Sequence, residues 1–301
     1  MAKKQKFSLA MALLIISAIT TVIIAACGGG GGSQSSAPSG STPTTPAQPS
    51  IPAVTIKAMD FSYDQPKTIP AGLVDLTLVN NGAQPHQIQL LRINNGNYDE
   101  FVAALKKNGP TPAALQLVTG AGGANTIDPG GKQEVILNLP QGEYATICFV
   151  SGSDNVPHFM KGMIQHISVT GSPNANQASP QASATITLKD FAIDVPSTVT
   201  GGAVTWKVTN NGPQLHEMDL LKLHSGVTYD QFKQMMANPN PPSGPPPFDD
   251  VGGMGGLQPG TSGWIKLNLQ SGNYVAICFV PDIKTGKPHF MLGMVSPFTV
   301  S

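Results

Sequence analysis

Two stretches of this 301-residue chain carry residue types that can do chemistry. One reads Cys148-Phe-Val-Ser-Gly-Ser-Asp-Asn-Val-Pro-His158-Phe-Met-Lys-Gly-Met163, and the other reads Cys278-Phe-Val-Pro-Asp-Ile-Lys-Thr-Gly-Lys-Pro-His289-Phe-Met-Leu-Gly-Met294. The loops differ by one residue, yet Cys, His and Met are kept in both. An earlier histidine precedes each stretch, His86 after Asn80-Asn81-Gly82 and His216 after Asn210-Asn211-Gly212. Two imidazoles and a thiolate in a trigonal set, with a weak axial thioether, select copper and let it alternate between Cu(I) and Cu(II). Zinc prefers a more tetrahedral set. The competing reading is a buried, inert thiol in each half, since free Cys packs as a small hydrophobe. The His and Met retained around each Cys weigh against it. A Cys148 to Cys278 disulfide would join matching interior positions of two separate domains, which disfavours it.

These residues recur because the chain repeats. An offset of 130 residues aligns Asp60-Phe61 with Asp190-Phe191, Leu90-Leu91 with Leu220-Leu221, and Pro129-Gly130 with Pro259-Gly260. It also aligns Gly142-x-Tyr144-x-x-x-Cys148 with Gly272-x-Tyr274-x-x-x-Cys278. Repeats of this size are two domains rather than a solenoid. Short apolar or alternating runs, Val54 to Ile56, Val74 to Val79, Gln87 to Ile93, Glu134 to Leu139 and Tyr144 to Val150, lie between Gly, Pro and Asn, the pattern of a β-sandwich. Alternation places Tyr144, Thr146 and Cys148 on one face of a late strand and turns Phe149 away. Helical spacing of Tyr98, Phe101, Val102 and Leu105, with Asn97 as cap and Gly109 as stop, predicts one helix, and Thr228 to Met236 repeats it. The Pro- and Gly-rich stretches 108–124 and 238–256 are expected to lack regular structure.

Taken together, the early His after an Asn-rich turn, the Gly-x-Tyr-x-x-x-Cys strand and the following His and Met resemble the blue-copper cupredoxin family. That family includes plastocyanin, azurin and the copper domains of nitrite reductases. The resemblance implies an all-β fold of two tandem cupredoxin-like Greek-key β-sandwiches, each with one short helical insertion, spanning 51–170 and 184–301 and joined by a linker at 171–183. It implies one copper per domain, held by His86, Cys148, His158 and Met163 in the first and by His216, Cys278, His289 and Met294 in the second. The Cys-to-His loops are longer than in plastocyanin-like proteins and closer to the nitrite reductase loop. Met160 and Met291 are competing axial donors, disfavoured because Met163 and Met294 keep the family's Gly-Met spacing. Asp60 and Asp190 read as turn residues, Met218, Met235, Met236 and Met254 as packing, and His166 and His224 as surface histidines.

The resemblance points to single-electron transfer with redox protein partners. Copper buffering or delivery is the alternative. An oxidase or nitrite reductase needs further histidines, commonly as His-x-His pairs, and none occurs, so the expectation is a protein that is not an enzyme. The N-terminus has its own signature. Basic residues in Met1 to Lys6, an apolar run from Phe7 to Ala26 and the sequence Ile24-Ala25-Ala26-Cys27 resemble a bacterial lipoprotein signal, with 1–26 removed and Cys27 lipidated. An uncleaved membrane anchor is the other reading. Residues 27–50, almost entirely Gly, Ser, Thr, Pro, Gln and Ala, read as a flexible tether. The chain is then expected outside the cytoplasmic membrane, held to it by lipid. After cleavage 14 basic and 17 acidic residues remain, a balance of −3 that gives no reason to expect nucleic acid.

Overall fold

In a computed structural model, residues 50–301 are described except 95 and 239–243. The lipid-attachment residue Cys27, the signal segment and nearly all of the tether lie outside them. The first repeat forms β1 (Ala53–Met59), β2 (Ser62–Asp64), β3 (Thr68–Pro70), β4 (Gly72–Asn80), β5 (Gln89–Ile93), α1 (Tyr98–Asn108), α2 (Pro112–Leu115), β6 (Val118–Gly120), β7 (Lys132–Leu139), β8 (Gly142–Ile147) and β9 (Ile164–Thr170). The second forms β10 (Ala184–Lys189), β11 (Ala192–Asp194), β12 (Thr198–Val199), β13 (Gly202–Asn210), β14 (His216–Leu223), α3 (Tyr229–Ala237), β15 (Phe248–Leu257), β16 (Ser262–Leu269), β17 (Gly272–Ile277) and β18 (Val295–Val300). The chain is therefore all-β. Residues 171–183 carry neither strand nor helix.

Each repeat contributes its own five-stranded sheet, β3-β9-β8-β5-β6 in the first and β12-β18-β17-β14-β15 in the second. Both pack against one shared eight-stranded sheet, β11-β10-β13-β16-β7-β4-β1-β2. Alternation decides which side of each strand faces that interior. Along β4 Leu76 and Leu78 are fully buried, and Tyr144 of β8 and Cys148 just past its end join the same apolar cluster. The opposite side of β8, with Ala145 and Ile147, is covered by Phe101 and Leu105 of α1. Leu221 and Val275 meet Phe232 of α3 in the same way.

Helix signals behave as the sequence predicts. Asn97 accepts a hydrogen bond from the Glu100 N–H and Gly109 closes α1 at φ 69°. Thr228 and Gln231 form a reciprocal capping box on α3. The two Gly-rich stretches do not behave as predicted, because α2 and β6 lie in one and β15 in the other. Their glycines serve close approach rather than looseness. An ideal Cβ on Gly123 would stand 1.8 Å from the Ile88 carbonyl oxygen, and one on Gly253 would stand 2.0 Å from that of Met218.

Those stretches also join the repeats. Isolated bridges pair Ala121 with Leu257, Ala124 with Met254, and Ile127 with Val251. Ala124 and Met254 are equivalent positions in the duplication, so the pairing is symmetric about them. Between β7 and β16 the equivalent residues Val135 and Ile265 pair in the same manner. The junction thus has the self-complementary form of a two-fold interface, within a single chain. Gln89 reinforces it by donating to the Gly122 and Gly256 carbonyls, and Gln133 by donating to the Lys266 carbonyl.

Candidate metal centres

The turn ahead of each early histidine is built by one asparagine. Asn80 donates to the Gln84 and Ile127 carbonyls and accepts from the Gly82 N–H, and Asn210 does the same with Gln214, Leu257 and Gly212. This delivers His86 to the end of the first sandwich and His216 to the start of β14. The late strand brings the thiol, and a short 3₁₀ turn at His158–Lys161 or His289–Leu292 brings the second imidazole.

The donors converge. In the first centre His86 Nδ1 and His158 Nδ1 are 3.1 Å apart, and Cys148 Sγ lies 3.5 Å from His158 Nδ1 and 4.0 Å from His86 Nδ1. In the second, the imidazole nitrogens of His216 and His289 are 3.0 Å apart and Cys278 Sγ is 3.5 Å from His289 Nδ1. All six side chains are fully buried, and within each centre the three ligand atoms lie within 4.8 Å of one another.

Met163 and Met294 are fully buried in the same cluster as the cysteines. Main-chain hydrogen bonds fix them there: Cys148 N–H donates to the Met163 carbonyl and Met163 N–H to the His158 carbonyl, with the same pair in the second repeat. Met160 and Met291 point outward, 44% and 56% exposed. Met218 and Met254 are core residues, and Met235 and Met236 pack on the α3 cluster. His166 pairs with Glu143 and His224 with Asp249 at half-exposed positions away from either centre.

Two residues have a larger part than the sequence suggested. Asp60 Oδ1 lies 2.9 Å from His86 Nε2 and Asp190 Oδ1 lies 2.6 Å from His216 Nε2. A carboxylate accepting from Nε2–H leaves the lone pair on Nδ1, the atom facing the other donors. The next residue in each repeat packs on the other imidazole, Phe61 against His158 and Phe191 against His289, each with ring centroids 5.0 Å apart. Duplication of Asp-Phe was the available signal. Its partners were not legible, because they lie far along the chain.

Electrostatics oppose any charge here without a counter-ion. Burial pushes the Cys148 thiol up to about 12 and moves Cys278 in the same direction. Burial, then the neighbouring imidazole, holds His158 and His289 down at about 4. Burial also weighs against charge on Asp60, but hydrogen bonds from His86 and the Ala83 N–H outweigh it and lower its carboxyl. A thiolate is favoured in such a pocket only beside a cation. Neutral imidazoles with inward lone pairs and one thiol that ionises on metal binding are donors that fit copper.

The two groups fit a tandem cupredoxin. No protein-family model matches the chain, and no curated protein does. Similar solved structures include a dithionite-reduced auracyanin from Roseiflexus castenholzii, 23% identical, covering 40% of this chain and 97% of its own, TM-score 0.29. A multicopper oxidase is 17% identical, covering 87% of this chain and 93% of its own, TM-score 0.27. A copper-containing nitrite reductase from Thermus scotoductus is 14% identical, covering 84% of this chain and 62% of its own, TM-score 0.26. At these scores none carries a residue role over to this chain. The expectation of a protein that is not an enzyme is nonetheless corrected, because these two structures that span both repeats are enzymes. The lack of His-x-His pairs in the sequence does not by itself exclude such chemistry.

Proposed function

We propose that this chain holds one copper ion in each repeat and passes single electrons between protein partners outside the cytoplasmic membrane, tethered there through lipidated Cys27. The observation that carries the reading is the pair of buried His-Cys-His groups, each with a buried Met on the returning loop. Copper, when bound, supplies one-electron chemistry at a centre whose donors need not exchange.

This chain's residues prepare that centre. Asp60 and Asp190 fix the orientation of the early histidines, Phe61 and Phe191 pack against the later ones, and full burial keeps water from the donors. A closed, rigid donor set favours electron transfer over delivery, since release of an ion requires exposed donors. Met160 and Met291, exposed within the 3₁₀ turns, offer apolar contact to a redox partner. Among the described residues no helix is long and apolar enough to cross a membrane, and the proposed attachment is the lipid.

Copper added to the purified chain is expected to bind at two equivalents and to give intense visible absorption with the narrow hyperfine splitting of cysteine-ligated Cu(II). Cys148→Ser and Cys278→Ser should each remove one equivalent. A colourless protein without stoichiometric copper overturns the reading. For the tether, Cys27→Ser should release the protein from the membrane fraction, and unchanged membrane association would rule out the lipid.

A further inference from the structure

The loops between each cysteine and the later histidine close in the same way and carry opposite charge. Ser151 bridges Pro157 and Pro281 bridges Pro288, with Gly152 N–H donating to the Val156 carbonyl and Asp282 N–H to that of Lys287. Gly152 and Asp282 are therefore equivalent, and past the extra loop residue Lys161 is equivalent to Leu292. An ideal Cβ on Gly152 would lie 2.8 Å from Lys161 Nζ. An ammonium thus stands in the first repeat where a carboxylate stands in the second.

Both charges are held against their centres. Lys161 follows His158 in the same 3₁₀ turn, and its Nζ lies 4.4 Å from the centroid of the Phe61 ring that packs on His158. Its counter-ion Asp154, at 2.8 Å, is 53% exposed against 20% for Lys161, so solvent screens the carboxylate more than the ammonium. Asp282 is 4% exposed and accepts from Thr285 and from Gln214 Nε2, which also donates to Asp190, the carboxylate on His216. Hydrogen bonds, from Thr285 and then Gln214, outweigh burial and keep the Asp282 carboxyl below its usual range, so it is ionised. After burial and the neighbouring imidazole, Lys161 opposes charge on His158, whereas Asp190 and Asp282 favour it on His289.

We propose that this reversal of charge sets the two coppers at different reduction potentials, the first centre higher and the second lower. The inference rests on both centres holding copper. At each, Cu(II) takes one electron from the redox partner and becomes Cu(I), so the ion loses one positive charge. A nearby cation favours the reduced ion and a nearby anion the oxidised one. One difference acts the other way: Gln84 Oε1 accepts from His158 Nε2 at 3.3 Å, whereas His289 Nε2 has no hydrogen-bond partner among the described residues. A single long hydrogen bond to a neutral amide is weaker than exchange of a full cation for a full anion. The first electron into the oxidised chain therefore rests at the first centre, and the fully reduced chain gives up its first electron from the second.

The test is a mediated redox titration of the visible absorption of the copper-loaded full chain, and of Cys148→Ser and Cys278→Ser, which keep one copper each. Wild type is expected to titrate in two steps, and Cys278→Ser, which retains the first centre, should have a higher midpoint than Cys148→Ser. Added to Cys278→Ser, Lys161→Leu should lower the midpoint and Lys161→Arg should preserve it. Added to Cys148→Ser, Asp282→Asn should raise the midpoint. The copper spectra should persist in all of these, which separates a change of charge from a loss of donors. Equal or reversed midpoints overturn the ordering and leave the copper reading standing, as do Lys161→Leu and Asp282→Asn chains that titrate like their parents. Failure to bind copper overturns the copper reading itself, and the ordering with it.

Discussion

His86 leaves no room for a side chain at Gly82. An ideal Cβ there would lie 2.5 Å from Asp60 Oδ1 and 2.6 Å from His86 Nε2, and Gly212 stands in the same relation to His216 and Asp190. The Asn-Asn-Gly turn is thus conditioned by its neighbours, since its glycine lets the carboxylate reach the imidazole. Gly82→Ala is expected to push the pair apart and free the ring. Loss of such an outer partner typically costs roughly 10- to 100-fold in metal affinity. Chelator competition should show that loss at the first centre alone, and Asp60→Ala should reproduce it. An unchanged first-centre affinity in both variants would remove the orienting role. The eight candidate donors were legible in the sequence because duplication repeats them around loops of different length. Asp60 and Phe61 were visible as a repeat but not as neighbours of the centre, because the histidines they touch are 26 and 97 residues away.

At the scale of elements, the strands and helices that alternate cleanly or carry caps were legible, and the glycine-rich ones were not. In β15 the sequence Gly252-Gly253-Met254-Gly255-Gly256 has the composition of a loop, yet it pairs with β14 on one side and bridges residues 121–127 on the other. Composition reports missing side chains. It does not report that two backbones occupy the space. The distinction is measurable. Gly253 has φ 145° and an ideal Cβ 2.0 Å from the Met218 carbonyl oxygen, whereas Gly260 has φ 75° and open space around it. Gly260→Ala is expected to cost only the left-handed penalty of about 1–2 kcal/mol. Gly253→Ala adds overpacking against main chain, for roughly 2–5 kcal/mol in total. Urea unfolding of the two variants should separate them by that margin, and equal losses would mean that β15 does not press on β14.

At the scale of the whole molecule, duplication could be seen in the sequence but the junction could not, because pairing of one repeat with the other leaves no local pattern. Carboxyl groups crowd this junction. Asp250 N–H donates to Asp128 Oδ2 at 3.0 Å, and Asp128 N–H donates to the Asp250 carbonyl at 3.1 Å. Burial, then the neighbouring Asp128 and Asp249, pushes the Asp250 carboxyl up to about 7. Burial likewise raises Asp128, where His224 partly offsets Asp249, and it raises Asp219 on β14, which faces both Asp250 and Glu217. An unfolded aspartate titrates near 3.9, so the folded state binds more protons than the unfolded chain between about pH 4 and 7. The stabilising effect of holding these groups neutral is therefore complete below about pH 4 and is lost as pH rises through about 7. Urea midpoints should fall between pH 6 and pH 8.5, and Asp250→Asn, which keeps the main-chain pairing and removes a charge, should flatten that fall and exceed wild type at the higher pH. A variant whose midpoint tracks wild type at every pH would place the dependence elsewhere than in this junction. A gain at high pH would mean that the interface joining the two centres bears a charge cost, accepted where the repeats meet about Ala124 and Met254.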